Sequence, residues 1–361
     1  MLASFPKLNQ KRSYHRPLSR QRALACPLPG LPEHLILLEQ VGQGAMGTVY
    51  RVWDQRLRRE VALKVSSHQT ETNMLKRFER EMRATARISH PCVVQVYESF
   101  LASGRACYTM QMLDAISFDE IIEAGKSAET SDKYTPLLPL NDFARVFANV
   151  AEGLHAAHRA GVIHRDIKPS NLMLDDSNTP KLIDFGLARI AGQSKLTNSG
   201  EIIGSLRYMS PEQFNATTEL SPASDIYSLG LTIQESLTGD LGFSDNSDGR
   251  IFYQVQNPHC RDRRRLQSLP AGMRLIIEKA TARSPHSRYA TAYQLAMDLR
   301  QFADSQSTLF AASSTLSNSS SSMFAIKQEL KFRLLGVLAT LALLVLLLSV
   351  GYFLLRLTGL K

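Results

Sequence analysis

The chain has 361 residues, with 42 Lys and Arg against 33 Asp and Glu and a formal net charge of +9. That length suffices for one large domain or for two lobes around a shared cleft. The charge excess sits at the ends, with six cations and no acid in residues 1–32 and five cations against Glu329 in 323–361, so the middle is nearly neutral. This argues against a nucleic-acid groove binder, and the local "RDRRR" at 261–265 is read as a solvated surface loop. Cys26, Cys92, Cys107 and Cys260 form no C-x-x-C pair and do not cluster with His, which excludes a zinc ribbon and a disulfide framework.

Residues 1–33 are basic and proline-rich, with no apolar stretch after the charges, and read as a disordered arm rather than a secretory signal. From His34 the chain alternates as strand, Gly-rich turn and strand in "LILLEQVGQGAMGTVYRVWD", followed by a further short strand in "EVALKVSS". Between Asn73 and Ile88 the period changes, and Met74, Leu75, Phe78 and Met82 recur at helical spacing. "CVVQVYESF" and "ACYTMQML" return to strand. After Asp114 the pattern is helical, most clearly in "NDFARVFANVAEGLHAAHRAG", where Phe143, Val146, Phe147, Val150 and Leu154 mark one face and Gly161 ends it. Helices are also expected at about 222–238, 270–282 and 291–303. Residues 304–333 read as a Ser-rich linker. Leu334 to Leu355 is a run of 22 residues without a charge. As a helix it would be about 33 Å long, enough to cross a bilayer. Residues 356–361 form a short tail.

Three stretches carry chemistry. "VGQGAMGTVY" places Gly42, Gly44 and Gly47 between strands, where bare backbone N–H groups can approach a phosphate and Val49 can cover a flat base; alone the pattern equally fits an ordinary Gly-rich hairpin. Lys64 ends the apolar strand "VALK", a position where an ammonium needs anions. Glu81 is a partner on the following helix, while Glu79 lies about 160° away around it, so only one of the two faces inward. In "VIHRDIKPSNLML", Asp166 can accept a hydroxyl proton, Lys168 can neutralise a transferred group, and Asn171 can orient the loop. Asp184, in "LIDFGLAR", pairs with Asn171 as a candidate Mg²⁺ ligand. Each acid alone is more often a turn residue or a helix cap.

"GQGAMGTV", "VALK", "HRDIKPSN", "DFG", "SPE" and "DIYSLG", in that order, resemble the Hanks-type protein kinases, particularly the bacterial membrane-anchored Ser/Thr kinases, over roughly His34 to Ala303. The resemblance implies an α+β, two-lobed kinase fold with a β-rich N-lobe and an α-rich C-lobe, and a kinase domain at 34–303. It implies ATP as substrate, Mg²⁺, and transfer to Ser or Thr of proteins in bacterial signalling. ATP would be lined by Val41, Gly42, Gln43, Gly44, Ala45, Met46, Gly47, Thr48 and Val49, with Ala62, Lys64, Met110 as gatekeeper, Gln111, Leu113 and Met173. Lys64 would pair with Glu81, Asp166 would be the catalytic base assisted by Lys168, and Asn171 and Asp184 would hold the metal. Glu212 would pair with Arg288, and Asp225 would steady the catalytic loop. Thr197 and Ser199 fall where related kinases carry activating phosphates, within reach of Arg165, and a homodimer is one route to autophosphorylation. The chain departs from the pattern at Gln111, where Glu is common, at "SPE" for "APE", and at Gly204-Ser205 for Gly-Thr. Lys327, Lys331 and Arg333 before the apolar run place the kinase domain in the cytoplasm on the positive-inside rule. A nucleotide-binding pseudokinase scaffold is the alternative reading, disfavoured because Lys64, Asp166, Asn171 and Asp184 are all present.

Overall fold

The computed structural model describes residues 28–44, 47–69, 72–127, 134, 136, 138–185, 205–214, 220–244 and 247–305. The chain divides into two units, Met1–Ala303 and Asp304–Lys361. Among the described residues no helix is long and apolar enough to cross a membrane. The expected span at 334–355, like Thr197 and Ser199, lies outside them.

An antiparallel sheet builds the N-lobe from β1 (Leu35–Gly44), β2 (Gly47–Asp54), β3 (Arg59–Gln69), β4 (Val96–Ala102) and β5 (Arg105–Gln111), in the order β1-β2-β3-β5-β4. Alternation sorts their side chains onto two faces. One buries Leu35, Leu37, Val52, Val61, Leu63 and Cys107. The other buries Ala62, Val96, Tyr108 and Met110 against Phe78 and Met82 of α1 (Thr72–Ala86). Residues 28–33 correct the expectation of disorder for that part of the arm: Leu28 is buried in the first of these clusters, Leu31 packs beside it, and the Pro29 carbonyl accepts a hydrogen bond from Ser103 Oγ at 2.8 Å. Two leucines with sheet surface to cover outweigh the segment's proline content.

β6 (Ala115–Ser117) leads into α2 (Phe118–Ser127) and α3 (Leu140–Arg159). The hairpin of β7 (Leu172–Asp175) and β8 (Pro180–Leu182) joins β6 in a small sheet ordered β6-β7-β8. Beyond it come α4 (Pro222–Thr238), α5 (Asp248–Gln256), one helical turn at Arg264–Gln267, α6 (Ala271–Ala280) and α7 (292–305). Pro222 opens α4 at a position where its missing N–H costs nothing, and Gly239 closes it at φ 68°, the left-handed conformation a helix C-terminus commonly takes. The lower core gathers Phe143, Phe147 and Leu154 of α3, Ile226, Leu229 and Ile233 of α4, and Leu295 and Leu299 of α7. Leu172 and Leu174 point into that core, so Met173 between them faces the opposite side of β7.

The "RDRRR" stretch is only partly a solvated loop. Arg264 is exposed and bonded to Asp262, whereas Arg265 Nη1 donates to the Thr238 carbonyl at 2.9 Å and Arg261 turns inward over the Phe243 ring. The C-terminus of α4 offers unpaired carbonyls there, and a guanidinium satisfies one.

Candidate functional site

The β1–β2 hairpin pairs Gly42 with Val49, Gln43 with Thr48 and Gly44 with Gly47, and its tip, Ala45 and Met46, lies outside the described residues. At Gly47 (φ 156°) a Cβ would run into the Val65 carbonyl, so only glycine fits. At Gly42 and Gly44 a Cβ would meet no protein atom within 4 Å, so packing against protein does not demand those two glycines. Beneath the hairpin, Val49, Ala62, Met110 and Leu113 join one apolar cluster with Ile183, and Ala62 lies opposite Met110 across β3 and β5. Gln111 continues β5, its N–H donating to the Gln95 carbonyl at 2.9 Å; Val41 is exposed at the rim.

Asp225 of α4 organises the loop that carries Asp166. Its Oδ2 accepts the His164 N–H at 2.8 Å and lies 2.8 Å from His158 Nε2, and its Oδ1 accepts the Arg165 N–H at 2.7 Å. Arg165 takes a left-handed φ of 67° within this grip. The buried His164 ring, held neutral by desolvation, bonds the Ile183 carbonyl and packs on Phe185 with centroids 4.5 Å apart. Asn171 Nδ2 donates to the Asp166 carbonyl at 2.7 Å and to its Oδ2 at 2.9 Å. Lys168 Nζ lies 3.1 Å from Asp166 Oδ2 and donates to Ser205 Oγ at 2.8 Å, so the hydroxyl of the Gly-Ser pair reaches the same locus.

The β7–β8 hairpin brings the second acid beside the first: the Ile183 N–H bonds the Asn171 carbonyl at 3.1 Å, and Asp184 follows at φ 59°. Its Oδ2 pairs with Lys64 Nζ at 2.5 Å and its Oδ1 accepts the Tyr108 hydroxyl at 2.7 Å. Burial alone would raise this carboxyl's pKa. The Lys64 charge and the hydrogen bonds from Lys64 and Tyr108 outweigh it and hold the group below the usual carboxylate range. Burial pushes the Tyr108 hydroxyl upward, and the Asp184 charge adds to it, so it remains a donor. Nothing in "ACYTMQML" marks Tyr108 for this contact.

One expected pairing is not made. Glu81 faces inward and Glu79 outward toward Arg83, but Glu81 Oε1 bonds Arg165 Nη1 at 3.0 Å and lies 3.5 Å from Arg77 one turn earlier, not Lys64. Two guanidiniums compete for it, while Lys64 already holds the more deeply placed Asp184. Further from the cleft, Arg288 grips Glu212 with both nitrogens, at 2.7 and 2.9 Å, and Ser224 Oγ adds a third bond at 2.8 Å. Gln213 next to it donates to the Arg165 carbonyl at 3.0 Å, tying this anchor to the loop that carries Asp166.

The donor set fits a hard divalent cation. Asp184 is ionised, and both Asn171 amide bonds are turned toward Asp166, which leaves its carbonyl oxygen as the ligand atom. Lys64 closes the same group of charges.

Residues 35–299 match the family model described as a protein kinase domain. Serine/threonine-protein kinase PknL of Mycobacterium tuberculosis is 35% identical over 277 residues, covering 76% of this chain and 67% of PknL. Serine/threonine-protein kinase PknK of the same organism is 37% identical over 283 residues, covering 76% of this chain and 24% of PknK, so the chain spans about a quarter of that relative's length. The crystal structure of the M. tuberculosis PknI kinase domain superposes with a TM-score of 0.57 at 24% identity, covering 74% of this chain and 95% of that one, a likeness of fold.

Proposed function

Since the chain belongs to the protein kinase family, we propose that it transfers the γ-phosphoryl group of ATP to Ser or Thr hydroxyls of proteins in bacterial signalling. The observation that carries this reading is that Asp166, Lys168 and Asn171 meet on one loop and that the Ile183 N–H, bonded to the Asn171 carbonyl at 3.1 Å, ties to it the segment carrying Asp184, which pairs with Lys64. Asp166, oriented by Asn171, takes the proton of the acceptor hydroxyl. Lys168, within 3.1 Å of that carboxylate, offsets charge on the group in transit. The apolar cluster of Val49, Ala62, Met110 and Leu113, with Met173 from below, accepts the adenine, and main-chain groups of Gln111 and Leu113 recognise its edge. Backbone N–H groups of the Val41–Val49 hairpin and Lys64 hold the phosphates. Asn171 and Asp184 would hold a divalent cation, Mg²⁺ in this reading, which supplies neutralisation of the phosphate oxygens when bound.

The test is phosphotransfer to a protein substrate with Mg·ATP. Asp184→Asn keeps volume but removes a ligand charge, and Lys64→Met removes the phosphate-binding cation; both should lose activity by orders of magnitude at a temperature where circular dichroism shows each variant still folded. Either variant retaining near wild-type turnover would remove the assignment. Phosphate mapping of the wild-type enzyme after the same incubation reads whether Thr197 and Ser199 are acceptors, with a second copy of the chain as the donor's partner.

We further infer that residues 334–355 tether this domain to a membrane with the kinase side cytoplasmic, supported by the uncharged run of 22 residues and the three cations before it. Full-length protein should stay with membranes in high salt and be released by detergent. Release by salt alone would sink the tether.

A further inference from the structure

Tyr108 of β5 stands directly opposite Lys64 of β3, so the two side chains leave the sheet on the same face. Together they hold the Asp184 carboxylate, one oxygen each. Lys64 Nζ lies 2.5 Å from Oδ2, and the Tyr108 hydroxyl donates to Oδ1 at 2.7 Å. The two holds differ in kind. Lys64 carries a point charge on a flexible four-carbon stem and can follow another anion, a nucleotide phosphate or Glu81. Tyr108 is 5% exposed, with its ring packed among Phe78, Met82, Val96 and Met110, and its hydroxyl has no second partner among the described residues.

This difference sorts the two carboxylate oxygens. If Asp184 turned Oδ1 away, a buried hydroxyl on an immobile ring would be stranded, a loss with nothing to offset it. If Lys64 withdrew from Oδ2, its ammonium would only change partner. Oδ1 is therefore the fixed oxygen and Oδ2 the exchangeable one. Asn171 is arranged in the same way: its Nδ2 is tied to the Asp166 carbonyl and to Asp166 Oδ2, which leaves its carbonyl oxygen to be offered. A ligand with one polar atom held and the other presented is preorganised for a cation, and the group that holds it sets much of the affinity.

We propose that Tyr108 is a positioning residue for the metal: by keeping Asp184 Oδ1 it fixes the carboxylate so that Oδ2, once Lys64 withdraws, is the oxygen offered to the divalent cation. This rests on the reading of Asp184 and Asn171 as the residues that hold the cation, and Tyr108 acts only through Asp184.

The experiment is a titration of the full-length chain with Mn²⁺ in the presence of a non-hydrolysable ATP analogue, with free Mn²⁺ read from its electron paramagnetic resonance signal. Tyr108→Phe removes the hydroxyl and leaves a ring that still fills the apolar cluster, and circular dichroism checks its fold. It should weaken Mn²⁺ binding by about tenfold or more, the usual effect of losing a group that orients a metal ligand. In the Asp184→Asn background the same substitution should change affinity by no more than about twofold, because the carboxylate it acts through is gone. The proposal is overturned if Tyr108→Phe binds Mn²⁺ as tightly as wild type. Tighter binding overturns it as well, since that would make the hydroxyl a competitor of the cation. An equal loss in both backgrounds would show a general effect on the sheet and also overturns it. If Asp184→Asn alone binds Mn²⁺ like wild type, Asp184 is not a ligand and both readings fall; weak binding by Asp184→Asn beside undiminished binding by Tyr108→Phe removes only the role of Tyr108.

Discussion

Asp225→Asn keeps side-chain volume in a position that is 1% exposed, yet it replaces one of two acceptor oxygens with an NH₂ group. In the wild type Oδ1 receives the Arg165 N–H and Oδ2 receives the His164 N–H. Whichever way the amide turns, its NH₂ therefore faces one backbone donor. A hydrogen bond to a charged acceptor contributes about 1.5–3 kcal/mol, and a stranded buried N–H costs about 1–3 kcal/mol. The expected loss is about 3–5 kcal/mol, a large share of the roughly 5–15 kcal/mol that holds a typical domain folded. At about 2–4 °C per kcal/mol for a domain of this size, Tm should fall by at least about 6 °C. Because the two N–H groups belong to the residues just before Asp166, kcat should fall as well, while the KM for ATP changes little, since Asp225 touches none of the adenine-lining residues. Differential scanning fluorimetry and steady-state kinetics read both. A variant that melts within about 2 °C of wild type with unchanged kcat would refute the claim that Asp225 positions the loop.

Arg288 has no exposed side-chain surface, and Arg288→Met should cost about 3–5 kcal/mol in chemical denaturation because it strands the Glu212 carboxylate. The double variant with Glu212→Gln should recover part of that loss, and additivity of the two single effects would show the pair to be uncoupled. Burial alone would raise the Glu212 pKa, but the hydrogen bonds and charge of Arg288 hold it below its ordinary value of 4.5. Its stabilising contribution is therefore complete above that value and is lost as pH falls through the lower folded-state value. Wild type should lose stability in this acid window that Glu212→Gln does not lose, and parallel profiles for the two would contradict the assignment.

Much of the lower lobe is written in local pattern. The apolar stripe from Phe143 to Leu154 and the Pro222 start of α4 predict helices where the structure has them, because burial and local propensity agree there. The helix Phe118–Ser127 falls in the stretch read as helical after Asp114, and "SFDE" marks its start with a capping box. Ser117 Oγ accepts the Glu120 N–H at 3.1 Å, and Glu120 Oε2 accepts the Ser117 N–H at 2.9 Å. At the site, periodicity separates Glu81 from Glu79, since that depends only on the turn angle of one helix. Which cation Glu81 meets depends on how α1 lies against a loop 84 positions further on, and no local pattern encodes that. The Tyr108–Asp184 bond is of the same kind, joining a strand of one lobe to a hairpin of the other.

Two ion pairs at the cleft constrain how the site can rearrange. Lys64 with Asp184 and Arg165 with Glu81 make two cations and two anions. An exchange to the Lys64–Glu81 pair implied by the kinase motifs leaves the net charge unchanged and needs no new ion from within the chain. It does release Asp184 from its closest cation. A buried carboxylate stripped of its partner is destabilised by several kcal/mol, and the Tyr108 hydroxyl alone offsets only part of that. Asp184 and Asn171 would hold a divalent cation whose charge would offset the remainder, so metal binding there and transfer of Lys64 to Glu81 would favour one another. Arg165, set free by the same exchange, then lacks an anion of its own, and a phosphate on the segment between Asp184 and Glu212 has the chemistry to supply one. On the proposed reading each step would leave an unpaired charge that the next relieves, which would couple nucleotide loading to loop phosphorylation.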